Sequence, residues 1–510
     1  MLGPAKPRRL QQPVAVSLED LVPADNFYRH LEATLDLGFV REWVRELYAE
    51  RGRPSIGPVV FFKLQLLMFF EGIRSERKLV ETASLNLAHR WYLGYALDEA
   101  LPDHSSLTRI RQRLGAEIFQ RFFQEIVDRC QAAGLVWGQE LYFDATKVAA
   151  NAAVSSLVPR FYYEATTHLS ALFADAPGDA PPADRRPTDD PPGDEPPWIV
   201  PLSGVRPEDR AEAERPWPLL ETRRLDPQRP AHHSRPRTSD YRVSVTDPDA
   251  TPMWDWGLIG LGYHDHYVVD GGKRRIILAA LVTPADVMEN QAMLDLLWRV
   301  CFRRKLWPRQ VTGDTKYGTS ENIVAIEDAG IRAYVPLPAE PRTKGFGRAA
   351  FTYEADADQY RCPADHPLPR KGVKQTEGVV IYRANAALCN ACALKPRCTT
   401  SAQGRMLHRS LFADYLEKVR GDHPTEPYQK AMRKRQVWVE PLFAEAKQGH
   451  GLARLRLRGL MNANITGLLI AAGQNLKRLL AATGWGRRQA PCGSLLARPA
   501  LPARLVVGSA

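Results

Sequence analysis

The sequence predicts a mixed α/β protein with an all-α N-terminal part and a small cysteine-bearing insertion. Three observations predict it. Apolar residues recur at helical spacing from Phe27 to about Ala133. From Gly138 to Pro336, short runs rich in β-branched and aromatic residues alternate with helical ones. Between about Lys344 and Arg409 that alternation stops, and Cys362, Cys389, Cys392 and Cys398 collect there.

The 510 residues suit about three domains. A formal net charge of +11 does not choose a fold, but it favours a polyanionic partner such as nucleic acid. The basic N-terminus is followed by no apolar run, and no stretch is long enough to span a bilayer, so no membrane role and a cytoplasmic location are expected. Seven cysteines, an odd number, point to reduced thiols.

Residues 1–16 form a loose basic arm, and 17–135 a helical domain. Ser17-Leu-Glu-Asp20 resembles a capping box with Asp in the last place. One helix is expected from Phe27 to Glu50, ended by the prolines 54 and 58. Val59 to Gly72 is apolar nearly all round and reads as a buried helix. Another runs from Ser75 to Gly94. Pro102-Asp-His-Ser-Ser106 opens a helix carrying Arg109, Arg111 and Arg113, which suits the recognition helix of a helix-turn-helix. The alternative is a helical bundle with a basic outer face. Gly115 stops this helix, and Ala116 to Ala133 forms one more.

Residues 136–343 carry the sheet. Leu141 to Val148 alternates as a strand and holds Asp144, an acid in an apolar setting. Residues 174–237 are dominated by Pro, Asp and Arg, a composition that suits a flexible insertion. Strands follow at Leu258–Tyr263 and His266–Asp270. Asp270-Gly-Gly-Lys makes a hairpin turn to a returning strand, Arg275–Val282. A helix over 290–303, a strand from Gln310 to Asp314, a helix over 320–329 and a strand over 332–336 complete the pattern. Residues 344–409 are the Cys-rich insertion. Residues 410–484 hold a helix from Leu411, a basic stretch around Glu440 and an apolar helix from Asn464. Residues 485–510 read as a disordered tail.

Three acids stand out by context: Asp144 in a strand, Asp314 where a strand ends, and Glu440 among Arg433, Lys434, Arg435 and Lys447, with Arg454, Arg456 and Arg458 beyond. Three converging carboxylates need a cation, and oxygen ligands suit Mg²⁺ or Mn²⁺. Two such ions about 3.5–4 Å apart align a water or a 3′-hydroxyl with a phosphodiester. The plain alternative for the stretch around Glu440 is a solvated amphipathic helix. Glu440 and Lys447, seven apart, share a face of a straight helix. Pro441 disfavours a helical Glu440, so this acid is expected at a helix start or a kink. Cys362, Cys389, Cys392 and Cys398 are compatible with one structural zinc, with His366 as an alternative ligand.

These landmarks resemble a DDE transposase of a bacterial insertion sequence. They are Leu141-Tyr-Phe-Asp-Ala-Thr-Lys147, Val311-Thr-Gly-Asp-Thr-Lys-Tyr-Gly318 and Val439-Glu-Pro-Leu-Phe-Ala-Glu-Ala-Lys447, followed by the stretch from His450 to Gly459 and preceded by the helical region from Leu21 to Leu114. The resemblance implies an RNase H-like sheet with flanking helices, and an N-terminal domain that contacts the terminal repeats. It implies that Asp144, Asp314 and Glu440 bind the catalytic Mg²⁺ or Mn²⁺, with Lys447 approaching DNA. It further implies strand cleavage and transfer, a homodimer on DNA and a nucleoid-associated location. Related enzymes often carry Arg four residues before the Glu; here that position is Gln436, with Arg435 beside it. Two other readings stay open: a catalytically silent DNA-binding descendant, and an RNase H-like nuclease without strand transfer.

Overall fold

The computed structural model describes residues 15–48, 55–174, 238–255, 257–338, 345–374 and 378–485. Nearly all of the expected basic arm, the Pro-rich insertion past residue 174 and the tail past residue 485 lie outside them.

Local side-chain bonds divide the N-terminal helices more finely than their apolar spacing suggests. The helix expected over Phe27–Glu50 is two, α1 (Phe27–Thr34) and α2 (Phe39–Val44), followed by one 3₁₀ turn. Between them the Asp36 carboxylate accepts the Gly38 N–H at 2.9 Å, a bond that competes with the helix ladder. α3 (Pro58–Phe70) starts on a proline at its first position and is buried on most sides. The helix expected over Ser75–Gly94 is also two, α4 (Glu76–Leu85) and α5 (Leu87–Leu93). Asn86 splits them by accepting the N–H groups of Ala88 and His89 at 2.9 and 3.1 Å. α6 (His104–Ala132) is capped by Asp103 and turns at Gly115, whose φ of 63° breaks the helical path.

The main sheet is built around β1 (Glu140–Ala149). Further strands are β2 (Thr251–Asp255), β3 (Leu258–Asp270) and β4 (Ile277–Pro284). After helix α7 (Met293–Arg304) comes β5 (Gln310–Thr312), and after α8 (Ser320–Asp328) comes β6 (Arg332–Tyr334). β3 lies antiparallel to β1, while β5 pairs parallel on the other side and β6 parallel to β5. β2 and β4 share the outer edge of β3. β3 is one strand where two were expected, because its register with β1 runs unbroken from Asp270 to Gly262. Gly262 is needed there: a Cβ would sit 2.3 Å from the Val148 carbonyl.

A second sheet lies within the expected Cys-rich stretch, where the sequence reading placed no strands. Its strands are β7 (Thr352–Glu354), β8 (Gln359–Arg361), β9 (Pro367–Lys374), β10 (Val379–Arg383) and β11 (Met406–Ser410), in spatial order β11-β10-β9-β8-β7. It has its own small core around Phe351, Tyr360, Leu368 and Tyr382. Three helices close the described chain: α9 (Ala413–Asp422), α10 (Glu426–Gly449) and α11 (Leu460–Ala482).

The N-terminal helices and the main sheet share one continuous core. α11 lies between α6 and β4, and its buried asparagines complete the free edge of β4. Asn464 accepts the Val282 N–H and donates to the Val282 carbonyl, at 2.8 and 2.9 Å. Asn475 does the same for Ile277, both at 2.8 Å. An edge strand buried along its whole length needs such partners, since each unpaired buried group costs about 1–3 kcal/mol.

Candidate active site

The pleat of β1 puts Tyr142, Asp144 and Thr146 on one face, and α10 covers it. Cross-strand pairing adds Tyr267 opposite Asp144 and Asp265 opposite Thr146. Phe443 of α10 stacks on Tyr267, with ring centroids 4.4 Å apart. Arg435 of the same helix ion-pairs with Asp144 at 3.1 Å, and the Ala145 N–H donates to Asp144 at 3.0 Å. Burial pushes the Asp144 carboxyl up to about 6. Arg435 and the Ala145 N–H oppose that rise, and the carboxylates of Asp314 and Glu289 add to it.

Asp314 reaches the same neighbourhood through parallel register. Tyr142 pairs with Thr312, so Asp144 and Asp314 each lie two residues beyond a paired position, Asp144 within β1 and Asp314 just past the end of β5. Asp314 then caps a short turn by accepting the Lys316 N–H at 2.9 Å. Gly313 is required before it, because a Cβ would meet the Tyr317 ring at 2.8 Å. The buried Tyr317 hydroxyl is pushed up by burial and then by the charges of Asp144, Glu289 and Asp314.

The sequence reading missed Glu289. It is buried, accepts an ion pair from Lys316 and lies 3.9 Å from Nε2 of His264. Its local signal is weak: an acid just before an amphipathic helix looks like an ordinary first-turn residue.

Glu440 differs from expectation. α10 runs unbroken through Pro441, so this acid sits within a helix and not at its start. The proline ring removes one N–H from the helix ladder, and the Val437 carbonyl accepts from Arg275 at 3.3 Å instead. Glu440 is exposed and, among the described residues, makes no hydrogen bond or ion pair. Lys447 faces the fully buried Asp265, whose carboxyl burial raises and Lys447 lowers. Glu445 serves packing, accepting from Lys477 at 2.7 Å and Gln474 at 3.1 Å.

The expected basic face on α6 needs one correction. Arg109 and Arg113 are exposed, but Arg111 is buried and ion-paired with Glu76. The helix period turns position 111 inward, beside Ile110 and Leu114. Lys434 is also occupied: it pairs with Glu140 at 2.5 Å and lies 5.0 to 5.5 Å over the rings of Trp438, Trp137 and Tyr142. Arg433, Arg454, Arg456 and Arg458 are exposed.

Cys362, Cys389, Cys392 and Cys398 line one cavity of about 20 Å³, together with His366. Burial raises the Cys398 thiol, and the other three thiols raise it further against the pull of Arg405. The His366 N–H donates to the Cys362 sulfur at 3.3 Å. Among the described residues no group of three or more His, Cys, Asp or Glu side chains closes to metal-holding spacing. No described helix is long and apolar enough to cross a membrane.

Two family models match parts of the chain. Residues 16–113 match the family model described as a transposase domain (DUF772), and residues 361–480 match that of a transposase DDE domain. The stretch carrying Asp144 and Asp314 lies between the two matches. No curated protein and no solved structure matches the chain. The two family matches support an insertion-sequence DDE transposase.

Proposed function

We propose that the chain binds the ends of its DNA element, cuts them and joins them to target DNA through Asp144, Asp314 and Glu440. The observation that carries this is that Asp144 and Asp314 each follow the paired residues Tyr142 and Thr312 by two, with the Asp314 carboxylate close enough to raise Asp144. The strand order β4-β3-β1-β5-β6, antiparallel up to β1 and parallel beyond it, supports an RNase H-like sheet. Glu440 is the third acid of this reading. It shares a helix face with Lys447, and Lys447 reaches Asp265, whose β1 partner Thr146 is two residues past Asp144.

Asp144 and Asp314 offer the oxygen donors that a hard divalent cation takes, and the repulsion of Asp144 by Asp314 and Glu289 is what such an ion would relieve, although among the described residues these carboxylates do not close to metal-holding spacing. Asp144, Asp314 and Glu440 would hold Mg²⁺ or Mn²⁺, which when bound would supply positive charge for the phosphodiester and for the attacking oxygen. The protein's part is orientation. Arg435 and the Ala145 N–H hold Asp144, and the Lys316 N–H holds Asp314. Arg433, Arg454, Arg456 and Arg458 neutralise phosphates, and Arg109 and Arg113 contact the terminal repeats. Because two ends must meet, the working form on DNA is a homodimer. Cys362, Cys389, Cys392 and Cys398 would hold one structural zinc, reinforcing a second sheet whose own core is small.

The test is cleavage of labelled DNA carrying the element's own end, with Mg²⁺ or Mn²⁺, by wild type and Glu440→Gln. Metal-dependent cutting lost in the variant is expected. Binding without cutting by either protein overturns the reading in favour of a silent descendant.

A further inference from the structure

A cleft of about 560 Å³ lies where the N-terminal helices meet the end of β1, the segment 450–457 and α11. Its walls carry Arg74, Arg454 and Arg456, and its apolar surface includes Phe69, Ile73 and Leu469. Arg454 and Arg456 are exposed, and among the described residues neither makes an ion pair. Arg74 is anchored by donating to the Gln448 carbonyl at 2.5 Å. His450 stacks on Phe69 with ring centroids 3.8 Å apart and adds a half-buried aromatic plane.

The cleft is joined to the strand that bears Asp144. Ala149, at the end of β1, donates to the Ala453 carbonyl at 3.1 Å and accepts from the Leu455 N–H at 2.9 Å. The segment with Arg454 and Arg456 is thereby fastened beside β1. Ala149 lies five residues beyond Asp144, about 17 Å along an extended strand.

We propose that this cleft holds unpaired nucleotides of a DNA strand, with bases against the apolar surface and phosphates against Arg74, Arg454 and Arg456. This deepens the function proposed above and rests on it for the identity of the polymer. A duplex stacks its base faces inside and offers only edges and phosphates, so it has no use for an apolar concavity. An unpaired strand offers both a π-face and a charge, the combination that this cleft lines up. Its volume falls within the range of pockets that enclose small organic groups, roughly 300–1,000 Å³, and is far below what a double helix needs.

The experiment uses the full chain without divalent metal, so that binding is read apart from cutting. Fluorescence anisotropy follows two probes: an oligothymidine of about twelve nucleotides and a blunt duplex of mixed sequence. Leu469→Trp fills the cleft without altering charge, and Arg454→Ala/Arg456→Ala removes its free cations. Both variants are expected to bind the oligothymidine about tenfold more weakly. Leu469→Trp is expected to bind the duplex as wild type does. Unchanged oligothymidine affinity in Leu469→Trp overturns the proposal, as does an equal loss for both probes in that variant. Failure of metal-dependent cutting, by contrast, strikes only the catalytic reading.

Discussion

Arg435, on the basic helix α10, ion-pairs at 3.1 Å with Asp144, on the central strand β1. This contact ties the helix that carries the third sequence landmark to the first. It also sets a guanidinium against a carboxyl that burial and two neighbouring acids have pushed up to about 6. Partners that orient a metal-binding carboxylate are typically worth about 10–100-fold in metal affinity or activity. Arg435→Ala is therefore expected to raise the Mn²⁺ concentration for half-maximal cleavage by about that factor. An unaltered metal titration would remove Arg435 from the site.

Asp314→Ala and Glu440→Gln are expected to abolish strand cleavage while DNA affinity stays within about twofold of wild type, since neither residue is assigned to phosphate binding. Cleavage and gel-shift measurements on the same preparation check this. Lost DNA binding in Asp314→Ala would make that residue structural, through the turn it caps at Lys316.

The α6 arginines should separate by burial. Removing Arg109 and Arg113 together is expected to weaken DNA binding and reduce the slope of log affinity against log salt by up to about 0.9 per arginine. Arg111→Ala is expected instead to lower stability by about 3 kcal/mol, because it leaves the largely buried Glu76 carboxylate without its partner. A salt slope unchanged in the double variant would take this helix out of the interface.

Metal analysis of the purified chain is expected to find about one zinc, lost when Cys389 and Cys392 are both changed to Ser. A preparation free of zinc and equally stable with or without added metal would leave four reduced thiols in a small core.

Acid stability gives a further test. His266 is buried with its Nε2 2.9 Å from the Thr283 hydroxyl, and burial lowers its pKa to about 3. A depressed folded pKa means that the neutral ring's contribution is full above about 6.5 and is lost as pH falls toward 3. Relative to wild type, His266→Gln is expected to lose less stability over that range, by up to about 1.4 kcal/mol per pH unit. Urea unfolding at several pH values reads this slope, and parallel slopes for the two proteins would refute it.

Much of the element order was legible because local patterns carry it. The period-two alternation around Asp144, the Asp270-Gly-Gly turn and the all-round apolar α3 each fold much as their residues suggest. The errors have physical causes. Asp36 and Asn86 form local bonds that divide helices whose apolar period runs on across the break. Pro441 was expected to put Glu440 at a helix start or a kink, yet the helix begins at Glu426 and runs on through the proline, and Arg275 takes up the carbonyl that the proline frees.

By itself the sequence determined the kinds of element, the three acidic landmarks, the four grouped thiols and the basic partner preference, since periodicity, turn chemistry and charge are properties of neighbouring residues. Only the tertiary structure decided that Asp144 and Asp314 both follow a paired position on neighbouring strands, that the Glu289 charge acts on Asp144, that Arg111 is buried and that a cleft continues from the end of β1. Those facts depend on strand pairing and on the packing of helices against a sheet, contacts between residues far apart in the chain that no local pattern specifies.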